Sequence, residues 1–185
     1  MDTIGKIIEA QDCKFLRLEG EAATVSRVQL EMTSHPSIHF ACHGNQDIEN
    51  PLKSGFYLHG GRLELADIMR QNITNCELAF LSACQTSTGN EKLSEEAVHL
   101  AAGMLAVGYR SVVATIWSIK DEYGPVVAEG FYKGLMERGT PSGRPGINTT
   151  NAAHALHQAI QNIRQQVGDM EQGLLTWVPY VHFGY

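Results

Sequence analysis

The sequence predicts an α/β fold: a mostly parallel sheet with helices on both faces. Three observations carry this. Strand-like and helix-like runs alternate along the chain, which favours parallel pairing through crossover helices. The run Leu78-Ala79-Phe80-Leu81 is apolar at every position, as a strand buried on both faces should be. The helix-like run that follows contains Ala101, Ala102, Gly103 and Ala106, small residues suited to close packing on a sheet.

Taken in order, Lys14–Leu18 reads as a first strand, stopped by Glu19-Gly20. Thr24 caps a helix whose apolar positions are Val25, Val28, Leu30 and Met32. Pro36 ends it, because the residue before proline disfavours the α region. Ser37–Ala41 is the next strand. A polar loop follows to Lys53, with Asn50-Pro51 as a turn signal. Ser54–His59 reads as a short strand or hairpin arm, followed by a Gly60-Gly61 turn. Leu65–Asn72 is a short helix with Ile68 and Met69 facing inward.

Cys76–Ala83 is the third main strand, and Gln85–Leu93 a polar loop. Ser94 with Glu95 and Glu96 opens a helix. Its expected inner face is Val98, Ala101, Ala102 and Leu105, and Gly108 closes it. Ser111–Ile119 is a strand rich in β-branched residues. Pro125 suits the first turn of a helix running to Glu137. Thr140–Thr150, rich in Gly, Pro and Thr, is a surface loop. Asn151–Val167 is a helix with an Ala155, Leu156, Ala159, Ile160, Ile163 stripe. Trp177–Phe183 is a last short strand.

Composition excludes several classes of function. The 185 residues suit one domain over 1–185. A net charge of −6 and a pI near 5.7, with no basic stripe, argue against nucleic-acid binding through phosphates. No apolar run reaches the roughly 18 residues of a membrane helix. Met1–Lys6 has no basic and apolar leader pattern, so a cytoplasmic location is expected. The cysteines, Cys13, Cys42, Cys76 and Cys84, have no CxxC spacing, so no zinc or other metal site is expected and free thiols are. No GxGxxG or Walker A run follows a strand, so no nucleotide cofactor is expected.

Two strands end in chemistry. Ile38-His39-Phe40-Ala41 leads to Cys42-His43-Gly44, and Leu78–Ala83 leads to Cys84-Gln85-Thr86. Sites in such sheets gather at the carboxyl ends of strands. A thiol beside an imidazole is the minimum of a cysteine nucleophile: the His takes the thiol proton and later protonates the leaving amine. Gly44 lacks a Cβ, so a substrate can approach its backbone, and the Gly44 and Cys84 N–H groups are candidate oxyanion donors. The bland readings stand beside these. Cys84 can be a small core residue at a strand end, and His43 a turn residue.

His39-Phe40-Ala41-Cys42-His43-Gly44 and Leu81-Ser82-Ala83-Cys84-Gln85-Thr86 resemble the two signature motifs of the CHAT domain. The likeness continues through Glu96–Gly103, Gly108–Val112, Thr115–Asp121, Phe131-Tyr132, Ala152–Leu156 and Trp177–Gly184. Its details look most like the fungal branch. The resemblance implies a caspase-like three-layer sandwich related to separases and often fused to tetratricopeptide repeats. It implies a cysteine endopeptidase with His43 as general base, Cys84 as nucleophile and Gly44 at the oxyanion. A protein substrate and a tetratricopeptide-repeat region, in the same or a partner chain, are the partners it implies.

Trp117, Ser118 and Asp121 match the region that lines the specificity pocket in caspase-like folds. Asp121 would pair with a basic side chain, or simply cap the next helix. Asp47 is a weaker pocket candidate, with a solvated loop acid as its alternative. The chain departs from the family in two places. Cys84-Gln85-Thr86-Ser87 stands where Cys-Glu-Thr-Gly is frequent. Family domains also carry further elements before the segment matching Lys14–Gly20. The chain is then expected to be the C-terminal part of a longer protein or a shortened domain, with activity dependent on a partner or on that missing region. The alternative function is a non-catalytic signalling or scaffold module of the same fold, working through protein–protein contacts.

Overall fold

The structure is a computed structural model. It describes residues 2–45, 47, 49–71, 73–82, 84–85, 97–117, 119–120, 122–137 and 149–185, with backbone alone for residues 2, 84, 85 and 97–99. In chain order the elements are α1 (Asp2–Glu9), α2 (Val25–Met32), β1 (Ser37–Phe40), β2 (His43–Asn45), β3 (Gly55–Leu58), β4 (Gly61–Glu64), α3 (Leu65–Arg70), β5 (Leu78–Leu81), β6 (Cys84–Gln85), α4 (Ala97–Val107), β7 (Ser111–Thr115), α5 (Gly124–Glu137), α6 (Ala152–Val167), α7 (Glu171–Trp177) and β8 (Tyr180–Gly184). The chain is α/β with a mostly parallel main sheet, as its sequence predicts. It divides into two compact units: Leu18–Ser118 with Gly184, and Met1–Arg17 with Ile119–Phe183 and Tyr185.

The Leu18–Ser118 unit holds two sheets. In the first, β5 pairs in parallel with β1 on one side and β7 on the other. Every residue of β5 and β7 is buried, which is why both read as continuous apolar or β-branched runs. In the second, β4-β3-β2-β6, the first three strands pair antiparallel and β2 pairs with β6 in parallel. Gly60, at φ +73°, makes the β3–β4 turn, as predicted. Gly55 lies so close to the Leu63 carbonyl that a Cβ would overlap it. Thr24 caps α2 through an Arg27 N–H to Oγ1 bond of 3.3 Å.

Two helix faces differ from expectation. The buried residues of α4 include Leu100, Ala101 and Met104, while Ala102 is exposed and Leu105 half-buried. This helix is apolar nearly all round, so periodicity cannot orient it; the larger Leu100 and Met104 take the inner face. Gly103 lets Leu65 of α3 approach, since a Cβ there would stand 2.5 Å from Leu65 Cδ1. In α3, Leu65 and Ile68 are buried but Met69 is 45% exposed, because six residues offer one i, i+3 stripe.

In the other unit α5 and α6 pack through small residues. A Cβ on Gly130 or Gly134 would lie 3.2 Å from the Cβ of Ala159 or Ala155. Helix α6 buries Ala155, Leu156, Ala159 and Ile163 as predicted, with Ile160 half-buried. Arg164 binds the Asp169 carboxylate at 2.6 and 2.8 Å and lies over the Trp177 ring.

Lys14–Leu18 does not form a strand. Phe15 instead lies against Gly5 of α1, where a Cβ would stand 2.8 Å from its ring, and Leu16 is 43% exposed. Trp177 ends helix α7 rather than opening a strand, and β8 begins after Pro179. The Ser94 cap, the loop over 86–93 and residues 140–148 of the Gly/Pro/Thr-rich loop lie outside the described residues.

Candidate active site

Strands β1 and β5 run side by side, and each passes into a short strand of the second sheet through two residues: 41–42 and 82–83. Because the links are equal in length, the register survives them. Partners differ by 41 in number from Ser37↔Leu78 to Phe40↔Leu81, and again at His43↔Cys84 and Gly44↔Gln85. His43 and Cys84 are therefore direct partners on neighbouring parallel strands, which lie about 4.8 Å apart. Both sit just beyond the carboxyl ends of β1 and β5, in strands of their own rather than in loops. The sequence shows the two strand ends but not this second sheet.

His43 is exposed and Gly44 buried. Gly44 has Gln85 beside it on β6 and Phe56 beside it on β3. The Phe56 ring, fully buried, stacks on Phe40 at the end of β1 with centroids 4.0 Å apart. This stack joins the last residue of the main sheet to the strand beside Gly44. Ser54, also buried, receives the Asp47 N–H at 3.0 Å on its hydroxyl and the Leu65 N–H at 2.8 Å on its carbonyl. It anchors the chain leaving β2. Sequence reasoning missed both supports, although the equal links between apolar run and motif were a legible clue to the register.

The other polar residues of the motifs are differentiated by burial. The His39 Nε2 lies 2.8 Å from Ser82 Oγ, and its ring packs on Phe80 at 4.6 Å. Burial holds the His39 imidazole down to about 4, so it is neutral at neutral pH. Burial pushes the Cys42 thiol up to about 12, which keeps it protonated and a poor nucleophile. Cys13, Cys42 and Cys76 are free cysteines.

The Asp47 carboxylate accepts the Asn50 N–H at 2.8 Å, so it shapes its own turn. Trp117 is half-buried just past Thr115. Leu81 is paired with Ala114, so Trp117 leaves the sheet at the same carboxyl edge as the Cys84 strand. Ser118 and Asp121 lie outside the described residues. Among the described residues no three His, Cys, Asp or Glu side chains gather to hold a metal ion, and no helix is long and apolar enough to cross a membrane.

Comparison with curated proteins finds no match. Comparison with protein families finds one: residues 3–185 match the CHAT domain. With the match spanning nearly the full chain, and the parallel α/β sheet beneath the two motifs that suggested it, the chain belongs to the CHAT domain family.

Proposed function

We propose that the chain is a cysteine endopeptidase domain in which Cys84 is the nucleophile and His43 the general base. The observation that carries this is the in-register pairing of His43 with Cys84 on adjacent parallel strands. Backbones of such partners lie about 4.8 Å apart, near enough for a thiol and an imidazole to be brought within reach of each other. Membership of a caspase-like family supports the reading. The alternatives nearby are weaker: the Cys42 thiol is held protonated, and a ring with a pKa near 4, such as His39, is a poor base at neutral pH.

In this reading the His43 imidazole takes the Cys84 proton and the thiolate attacks a peptide carbonyl. The C–S bond forms as the carbonyl π pair moves to oxygen. The Gly44 and Cys84 N–H groups are the donors available to that oxyanion. As the oxyanion collapses, the C–N bond breaks and His43 gives its proton to the departing amine, leaving a thioester. His43 then removes a proton from water, which attacks the thioester and frees the acid and the thiol. The family resemblance makes Trp117 a weaker candidate for the pocket of the residue before the cut, and a Trp117 variant with unchanged cleavage preference would remove it. The substrate is a protein chain, the setting cytoplasmic, and a tetratricopeptide-repeat region the partner.

The test is cleavage of a peptide library by the wild type, Cys84→Ala and His43→Ala. Cys84→Ala is expected to abolish turnover and labelling by an electrophilic peptide. His43→Ala is expected to reduce turnover by about 10²–10⁴-fold. Cleavage by Cys84→Ala at the wild-type rate would end this reading. Folded protein inert in every form, with and without its repeat partner, would favour a non-catalytic scaffold.

A further inference from the structure

The ladder between β1 and β5 stops at Phe40↔Leu81 and the one between β2 and β6 starts at His43↔Cys84. Between them lie two residues on each side, 41–42 and 82–83. A slide of one link past the other in this gap would carry His43 away from Cys84. Beside the Phe40–Phe56 stack, the hydrogen bonds that join the exit of β1 to the exit of β5 meet at Ser82. Its N–H donates to the Phe40 carbonyl at 3.0 Å, and its Oγ lies 2.8 Å from His39 Nε2 and 3.4 Å from the same carbonyl.

We infer that His39 and Ser82 are a positioning pair, which ties the exits of β1 and β5 together and so sets the approach of His43 to Cys84. This rests on the peptidase reading above. A hydroxyl has one proton. When Ser82 gives it to the Phe40 carbonyl, the His39 Nε2–H donates to Ser82 Oγ, and a continuous path runs from β1 through Ser82 and back to β1. Ser82 stands two residues before Cys84, and His39 four before His43. The His39 ring is held against Phe80, so the tie has one preferred geometry. Burial keeps the ring neutral, with one N–H and one lone pair, as this path needs. Misplacement of reacting groups by about 1 Å can cost a hundredfold in rate, so a tie this close to both residues acts on the reaction without touching substrate.

The experiment follows alkylation of Cys84 by iodoacetamide across pH in the full chain, reading the mass of the Cys84 peptide. The wild type is expected to react with a midpoint below the roughly 8.5 of a free thiol, and His43→Ala to lose this. Ser82→Ala and His39→Leu should each move the midpoint up towards that of His43→Ala and slow reaction at pH 7 by about tenfold. The double variant should be no slower than either single one, because the two act as a unit. His39→Gln, which keeps a donor near the Nε2 position, and Ser82→Thr should both retain the wild-type profile. Thermal unfolding well above the assay temperature establishes that each variant is folded.

A wild-type profile in both Ser82→Ala and His39→Leu, with His43→Ala still impaired, would overturn the positioning role and leave the peptidase reading standing. His39→Gln as impaired as His39→Leu would also overturn it, since packing rather than the hydrogen bond would then be at work. An ordinary thiol midpoint in wild type and His43→Ala alike would remove the peptidase reading, and the positioning role with it.

Discussion

The two sheets of the Leu18–Ser118 unit are built on opposite terms. In the first, β5 and β7 are four and five residues long and buried throughout. In the second, β2 has three residues and β6 two, and His43 is exposed. Apolar burial at about 25 cal/mol per Å² makes the first sheet the source of stability. Short strands make few ladder bonds, and such parts of a protein open at low cost. The first sheet therefore keeps the register, and the second borrows it through two equal links. An exposed imidazole can then be placed by a register that the buried sheet sets.

This contrast can be broken at either end. The largest effect is expected in the first sheet. Phe80, fully buried in the middle of β5, should cost about 3–5 kcal/mol of unfolding free energy when changed to Ala. Denaturant melts measure this, and a loss under about 1 kcal/mol would contradict the division of labour.

A smaller effect belongs to the seam between the sheets. The folded-state pKa of His39 is depressed to about 4 from an ordinary 6.5. On acidification the unfolded chain takes up the proton first. Stability is thus unaffected above about 6.5 and falls as pH drops from there towards 4, by at most about 1.4 kcal/mol per pH unit. His182, also lowered by burial, contributes with the same sign. His39→Gln should flatten the His39 part of this limb when unfolding free energies at pH 7 and pH 5 are compared. An unchanged slope would show that the ring titrates alike in both states.

The smallest effect on stability, and the one most specific to the site, is expected from one glycine inserted between Ala41 and Cys42. Both sheets keep their cores, so unfolding free energy should fall by about 1 kcal/mol or less. A one-residue slip, however, turns a strand's side chains to the other face. His43-dependent alkylation of Cys84 should then vanish. Its survival would mean that the second sheet finds its own register.

Much of this was legible beforehand. The succession α2, β1, β3, α3, β5, α4, β7, α5 and α6, the Thr24 cap, the Gly60 turn, and helices α5 and α6 to within a residue follow from local chemistry: capping, proline and glycine geometry, and apolar period. The two motifs could be read as strand ends carrying a thiol and an imidazole. What failed did so for identifiable reasons. Lys14–Leu18 has strand-like residues, but Phe15 packs on Gly5 instead of joining a ladder. Helix α4 is too uniformly apolar for its period to choose a face.

By itself, then, the sequence determined which residues bear the chemistry and which elements carry them, because backbone preferences and apolar spacing act over a few residues. Only the tertiary structure decided that His43 pairs with Cys84 and that His39 reaches Ser82, because both depend on register. The pairs are separated by 41 and 43 residues. A register is set by packing β1 on β5 and burying β5 against β7, a condition on three distant segments at once that no local window contains.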